Sequence, residues 1–308
     1  MNRRKFFKNS FGAGMAAFTA LSFGTAPRLL SNVRKSENNI LYDLAAIKGG
    51  EPDVMFDKAI QAFGGIERFV KKNQVVVIKP NIGWNAEPER AANTNPKLIG
   101  RVVKRCYEAG AKDVYVFDHT CDNWQLCYTN SSIEEAVKNA GGKIVPGNSE
   151  SYFQEVSISG GKSLKKASVH ELILESDVFI NIPVLKHHSS TELSIAMKNL
   201  MGAVWDRRFW HRNDLNQCIA DFPTYRKPDL NIIDAYSVMK KNGPKGVSKN
   251  DCVIYKSQII SPDIVAADTA ATKLFGSDPE DIDYIKIADE MGIGTMNLKN
   301  LSISRIKI

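Results

Sequence analysis

Apolar positions along this chain follow two different periods. Short continuous runs such as QVVVIKP (74–80), DVYVFD (113–118), VFINIP (178–183) and DLNIIDA (229–235) have the β-branched content and the length of strands covered on both faces. Between them lie amphipathic stretches with helix punctuation. Asn95 is placed to cap a helix with Pro96 at its first position, running through Cys106 and closing at Gly110. Ser131 and Glu134 have capping-box spacing, which predicts a helix that stops at Gly141-Gly142. A short helix in HELILE feeds the strand ending at Pro183, and a further helix is predicted from about Ser190 to Gly202. VIYKSQII reads as another strand, Pro262 and Pro279 open helices closed by Gly276 and Gly292, and LSISRIKI ends the sequence as an alternating strand. This alternation predicts an α/β fold over residues 39–308: one large domain with a mainly parallel sheet and helices on both faces.

The first 38 residues do not share the pattern. Residues 1–26 hold four basic groups (Arg3, Arg4, Lys5, Lys8) and no acid, and Phe11 to Ala26 is weakly apolar, rich in Ala, Gly and Phe. That is the layout of a targeting segment, too short and too polar for a stable membrane-spanning helix. Asn-Arg-Arg-Lys-Phe-Phe-Lys resembles the twin-arginine export signal, which implies passage of the folded protein through the twin-arginine translocase to the periplasm or cell envelope. Residues 27–38 read as a polar linker.

Locating the charges changes the meaning of the net +7. Beyond the first 26 residues, 37 basic groups face 34 acidic ones, and no basic stripe with interleaved aromatics is present, so a nucleic-acid partner is not expected. Five cysteines without a Cys-x-x-Cys pair offer neither a zinc ribbon nor an iron–sulfur motif, although Cys121 and Cys127 are spaced to bridge in an oxidising compartment. Gly292-Ile-Gly294 lacks the third glycine of a dinucleotide loop.

Candidate chemistry collects at strand ends. In open α/β sheets ligands bind beyond the carboxyl edge. Four runs end there in polar residues: Lys79-Pro80-Asn81, Asp118-His119, Lys186-His187-His188 and Asp234. On the predicted helix Thr191, Ser194 and Lys198 share one stripe, with His188 at its entrance and Asn199 beside it, and Arg207, Arg208 and His211 follow. The set suits a small anionic ligand, with arginine offering bidentate contact; the same residues also suit a solvated helix face. His188, Lys198 and Lys79 are the candidate catalytic groups. Asn81, Lys186, Thr191, Ser194, Asn199, Arg207 and Arg208 are the candidate binding groups, and His188 with Asp234 is a candidate metal pair.

Several of these segments resemble the domain-of-unknown-function 362 family: Lys79-Pro80-Asn81, Asn93-Thr94-Asn95-Pro96, Asn181-Ile-Pro183-Val-Leu-Lys186-His187-His188 and Lys198-Asn199-Leu-Met-Gly202. Asp229-Leu-Asn231-Ile-Ile-Asp234 and Ala266-Ala267-Asp268 also look like family positions. Some relatives append a four-iron four-sulfur segment that this chain lacks, so a partner protein would have to supply any redox centre. The ten-residue spacing from His188 to Lys198, followed by Gly202, is similar to the segment of nickel-pincer lactate racemases in which a lysine carries the organometallic cofactor and a histidine assists; Ser194-Ile195-Ala196 replaces the glycines of that pattern. The resemblance implies a cofactor- or metal-dependent exported enzyme of oxidoreductase or isomerase type, acting on a small anion. The other reading is a non-catalytic periplasmic binder or cofactor carrier.

Overall fold

The computed structural model describes residues 41–308, so the targeting segment and linker expected from the sequence lie outside the described residues. The described residues form twelve strands: β1 (Leu44–Lys48), β2 (Val75–Pro80), β3 (Asp113–Val116), β4 (Lys143–Ile144), β5 (Phe153–Ser157), β6 (Lys166–His170), β7 (Val178–Ile182), β8 (Val184–His188), β9 (Glu192–Ser194), β10 (Leu230–Met239), β11 (Cys252–Ser261) and β12 (Ile303–Lys307). Ten of them make one sheet in the order β12-β1-β11-β10-β7-β2-β3-β4, with β8 beside β10 and β9 beside β8. The pairs from β10 through β7, β2 and β3 to β4 are parallel, as is β10 with β8. Antiparallel contacts join β11 to both of its neighbours and β8 to β9. The expected α/β class with a mainly parallel sheet is therefore observed. β5 and β6 form a separate antiparallel ribbon.

The helices are α1 (Pro52–Ile60), α2 (Pro96–Glu108), α3 (Trp124–Asn130), α4 (Ile133–Asn139), α5 (Glu171–Glu175), α6 (Ala196–Asn199), α7 (Arg207–Arg212), α8 (Leu215–Asp221), α9 (Ile264–Phe275) and α10 (Asp283–Glu290). They cover both faces of the sheet. Val76, Ile78, Val114 and Ile180 pack with α1, α2 and α4 on one side, while the alternate residues Val77, Tyr115 and Phe179 pack with α8, α9 and α10 on the other. Two buried faces explain why the strands read as unbroken apolar runs. None of the described helices is long and apolar enough to cross a membrane.

Two expected helix features differ. No capping box forms at Ser131: α4 starts at Ile133 after Ser132 in the left-handed region (φ 58°), and Glu134 is paired instead with Thr129 and Lys138. More consequential is 184–203, where the predicted helix from Ser190 is a β8–β9 hairpin, then the single turn α6, then a 3-10 turn (Leu200–Ala203). His188 pairs across to Glu192, which adopts a positive φ of 61°, and the three-residue loop Ser189-Ser190-Thr191 closes the hairpin. A polar Ser-Ser-Thr turn outweighs a chance three-four spacing.

Candidate functional site

The first floor of the site is set by β2. Near its end Lys79, still paired with Asn181 of β7, has a wholly buried ammonium that sits 2.8 Å from Asp118 Oδ1. It also donates to Pro80 O (2.8 Å) and Asn199 Oδ1 (3.1 Å). Burial lowers the Lys79 pKa, and the Asp118 carboxylate opposes that shift. The other oxygen of Asp118 accepts from the Ile82 N–H at 2.7 Å, so the loop after β2 is tied to the end of β3.

Asparagines extend the network across the sheet. Asn199 accepts from Asn81 (3.1 Å) and donates to Asn181 Oδ1 (2.8 Å), and Asn181 donates to Asn231 Oδ1 (3.1 Å). Each buried amide is thus held in one orientation by its neighbours. The Asn93-Thr94-Asn95-Pro96 segment is a clamp rather than a ligand set. Asn93 bonds Trp84 both ways, Thr94 Oγ1 bridges Asn81 N (2.9 Å) and Ile182 O (2.6 Å), and the Asn95 side chain caps α2.

Strand pairing brings the rest together with a period of two. Lys186 lies across from Ser194, and Lys186 and His188 share a face because successive side chains alternate. His187, on the other face, receives the Gly243 N–H. α6 then presents Lys198 and Asn199. Its start is held by Asp268 of α9, whose two oxygens accept the Ala196 and Met197 N–H groups at 2.7 and 3.0 Å; burial pushes the Asp268 pKa up to about 7. Asp268→Ala strands both buried donors, at roughly 1–3 kcal/mol each. The expected result is a lower urea midpoint and weaker anion binding; unchanged binding would separate this contact from the site.

These groups line one cavity of about 480 Å³ with Lys79, Asn81, Asp118, Lys186, His188, Ser194, Lys198, Asn199, Arg207 and Arg208 in its wall. Asp118 is the one acid there, and Lys79 already occupies it. The remaining charge is positive. Burial lowers Lys186 to about 7 and Lys198 to about 8. Lys186 directs N–H bonds to Ala92 O and Asn81 Oδ1, so its third position faces the cavity; Lys198 donates only to Met201 Sδ (2.9 Å), leaving two N–H groups free. His188 is pushed down to about 3 by burial, then by Lys198 and Lys186, so its ring is neutral at pH 7. Its Nδ1 accepts from the Ser190 N–H at 3.1 Å, which puts the ring proton on Nε2. Arg207 spends its fork on His119 O (2.8 Å) and Thr120 O (2.6 Å), holding the 119–121 loop, whereas Arg208 stands exposed at the rim.

Two candidates from the sequence fall elsewhere. Thr191 is buried in the hairpin loop with its hydroxyl on Leu193 O (3.0 Å), outside the cavity wall. Asp234 is not paired with His188: β10 continues past it to Met239, and its carboxylate accepts the Asn95 (2.7 Å) and Tyr236 (3.1 Å) N–H groups. Among the described residues, no three His, Cys, Asp or Glu side chains are grouped to hold a metal ion. Cys121 and Cys127 are free thiols, the first exposed beside Arg207 and the second buried against Gly83. Trp84, Cys121, Ser189 and Pro244 also line the cavity; all lie on loops, where no strand-end or helix-face signal marks them.

Residues 76–273 match the family described as Domain of unknown function (DUF362). The chain belongs to that family. The DUF362 motifs quoted from the sequence are thereby placed: Lys79, Asn81, Lys186, His188, Lys198 and Asn199 in the cavity, and Asn95, Asn231 and Asp268 in the frame around it. A thylakoid-associated protein, sll1697, of Synechocystis sp. (strain ATCC 27184 / PCC 6803 / Kazusa) is 24% identical over 242 residues, covering 76% of this chain and 73% of that protein. Among solved structures, the lactate racemase apoprotein from Thermoanaerobacterium thermosaccharolyticum is similar with a TM-score of 0.44 and 13% identity over 77% of this chain. A protein from Thermotoga maritima is similar with a TM-score of 0.43 and 11% identity over 74% of this chain. The chain spans 57% and 60% of those two structures.

Proposed function

We propose that this DUF362 protein is an isomerase-type enzyme that binds a small 2-oxo carboxylate and moves a proton on the carbon beside its ketone. The observation that carries the reading is the unequal hydrogen bonding of two buried amines in one cationic cavity: Lys186 directs two N–H groups to Ala92 O and Asn81 Oδ1, whereas Lys198 directs one, to Met201 Sδ. Lys198 has free N–H groups and the higher pKa, about 8, and acts as the charged anchor for the anion together with Arg208. Lys186, at about 7, is neutral more readily, and its lone pair faces the cavity, so it is the base. The neutral His188 offers Nε2–H to the oxygen on which charge develops, and Lys79 holds Asp118 and Asn199 in place beneath.

In the nickel-pincer resemblance a lysine carries the cofactor and a histidine assists, and His188 is separately a candidate metal ligand. A ligating imidazole donates its second N–H to an acceptor; His188 instead receives a backbone N–H at Nδ1, so its Nε2 lone pair is not free. The residues do not fit a metal group held through His188, and no step is assigned to one. The basic start with Arg3-Arg4 supports export by the twin-arginine route. Arg3→Lys with Arg4→Lys is expected to trap the protein in the cytoplasm on fractionation.

The test is deuterium incorporation into pyruvate and oxaloacetate in D2O, followed by proton NMR. Exchange is expected to rise as Lys186 deprotonates near pH 7 and to fall as Lys198 loses its charge near pH 8, a narrow bell. Lys186→Met should abolish exchange while sparing anion-induced thermal stabilisation. Stabilisation by these anions with no wild-type exchange would overturn the enzyme reading in favour of a carrier, and an added mass on Lys198 of the natively isolated protein would show a cofactor instead.

A further inference from the structure

A second cavity, of about 460 Å³, lies at the opposite edge of the sheet, where β12, β1 and β11 meet α9. It shares no residue with the first. β1 and β12 run parallel with Leu44 beside Ile303, Ala46 beside Arg305 and Lys48 beside Lys307, and β11 places Ile259 beside Ala46 and Ser257 beside Lys48. Residues two apart share a face, so this face changes from apolar to cationic along about 13 Å of strand. Leu274 and Leu298 add apolar wall, and Lys273 adds a further cation.

The charges here are arranged against ordinary sheet practice. Like charges directly opposite each other weaken a strand pair, yet Lys48 faces Lys307 with Arg305 two residues away on the same side. No acidic residue lines the cavity, and none of the four cations has an ion-pair partner among the described residues. An anion seated between Lys48 and Lys307 removes the repulsion, but a small hydrophilic anion leaves the half-buried Ala46, Ile303 and Leu274 exposed to water. An amphiphile satisfies both ends.

We propose that this cavity binds a free medium-chain fatty carboxylate, its alkyl chain along Leu44, Ile303 and Ile259 and its head group between Lys48 and Lys307. The complementarity is between the polarity gradient of one sheet face and that of a single-chain acid.

The test is calorimetric titration of the full chain with decanoate and decanol, and flotation with phosphatidylglycerol vesicles. Saturable decanoate binding at one site is expected, at least about tenfold tighter than decanol. Ala46→Trp fills the apolar floor and should weaken decanoate by at least about tenfold. Because a core-facing tryptophan can perturb folding, Arg305→Glu with Lys307→Glu, both exposed positions, gives the second arm and should weaken decanoate equally with an unchanged circular dichroism spectrum. The proposal fails if decanoate uptake does not saturate, if decanol binds as tightly, if the charge-reversed variant keeps its affinity, or if the protein binds anionic vesicles but not free decanoate.

Discussion

Replacing Lys198 with methionine is expected to stabilise the protein while abolishing anion binding. Lys198 is almost fully buried, meets no carboxylate within ion-pair distance among the described residues, and donates its one hydrogen bond to the Met201 sulfur. Its pKa of about 8 in the folded protein, against 10.5 for an ordinary lysine, means that the native state holds the charge less well than the unfolded chain. The sign follows from linkage. Between pH 8 and 10.5 the unfolded state binds more protons, so stability rises with pH through that window. Below pH 8 the full penalty is present, of order 3 kcal/mol. Lys198→Met removes it, and in a chain of this size each kcal/mol moves the thermal midpoint by about 2–4 °C. The gain should be largest at pH 6–7 and shrink toward pH 10. Phosphate and pyruvate should stabilise the wild type at pH 7 and leave the variant unmoved. A variant less stable than wild type at pH 6 would show that Lys198 is not a charge held against its own solvation cost. Retained stabilisation by the anions would remove Lys198 from the binding site. A stability cost carried at neutral pH by a residue with no structural partner is the mark of a functional group.

Much of this arrangement was legible from strand ends alone. Lys79, Asp118 and Lys186 follow apolar runs, and the rule that ligands sit beyond the carboxyl edge brings them to one cavity without further information. What failed was local period. Thr191, Ser194 and Lys198 fit a helical stripe, but the hairpin aligns Ser194 with Lys186 through strand register and turns Thr191 inward. Both geometries place Ser194 and Lys198 near His188, so their proximity was legible while its reason was not. Asp234 was misread because β10 does not stop there; antiparallel pairing with β11 carries it five residues on. Asp268 could not be assigned from sequence at all. It acts on α6 from 72 residues away, and a carboxylate that caps another element's first turn has no local signature. The hydrogen bond that fixes the His188 tautomer comes from a backbone amide two residues on, and it depends on a turn that the helical reading did not contain.

Gly202→Ala should be among the most damaging single-methyl additions in the protein. The Lys-Asn-x-x-Gly segment ends at Gly202, whose backbone angle is ordinary, so conformational freedom is not the reason for glycine there. The reason is the buried ion pair. A β-carbon at this position would stand 1.8 Å from Asp118 Oδ1 and 2.7 Å from both Cε and Nζ of Lys79. Asp118 cannot withdraw without losing the Ile82 N–H bond of 2.7 Å, and the Gly202 backbone cannot withdraw without losing the 3.0 Å bond from the His119 N–H. If Asp118 or Lys79 yields, the buried ion pair is opened, which costs about 3–5 kcal/mol when one partner is left alone; if the backbone yields, a backbone hydrogen bond is lost, at about 1–3 kcal/mol. Gly276→Ala is the informative contrast. There φ is +96°, yet no atom lies within 4 Å of the added carbon, so the cost is backbone strain alone, about 1 kcal/mol. Urea unfolding of the two variants should therefore rank them opposite to their backbone angles. Equal or reversed costs would mean that the Lys79–Asp118 pair gives way freely, and that it does not hold the 79–82 and 118–121 loops in register around the cavity.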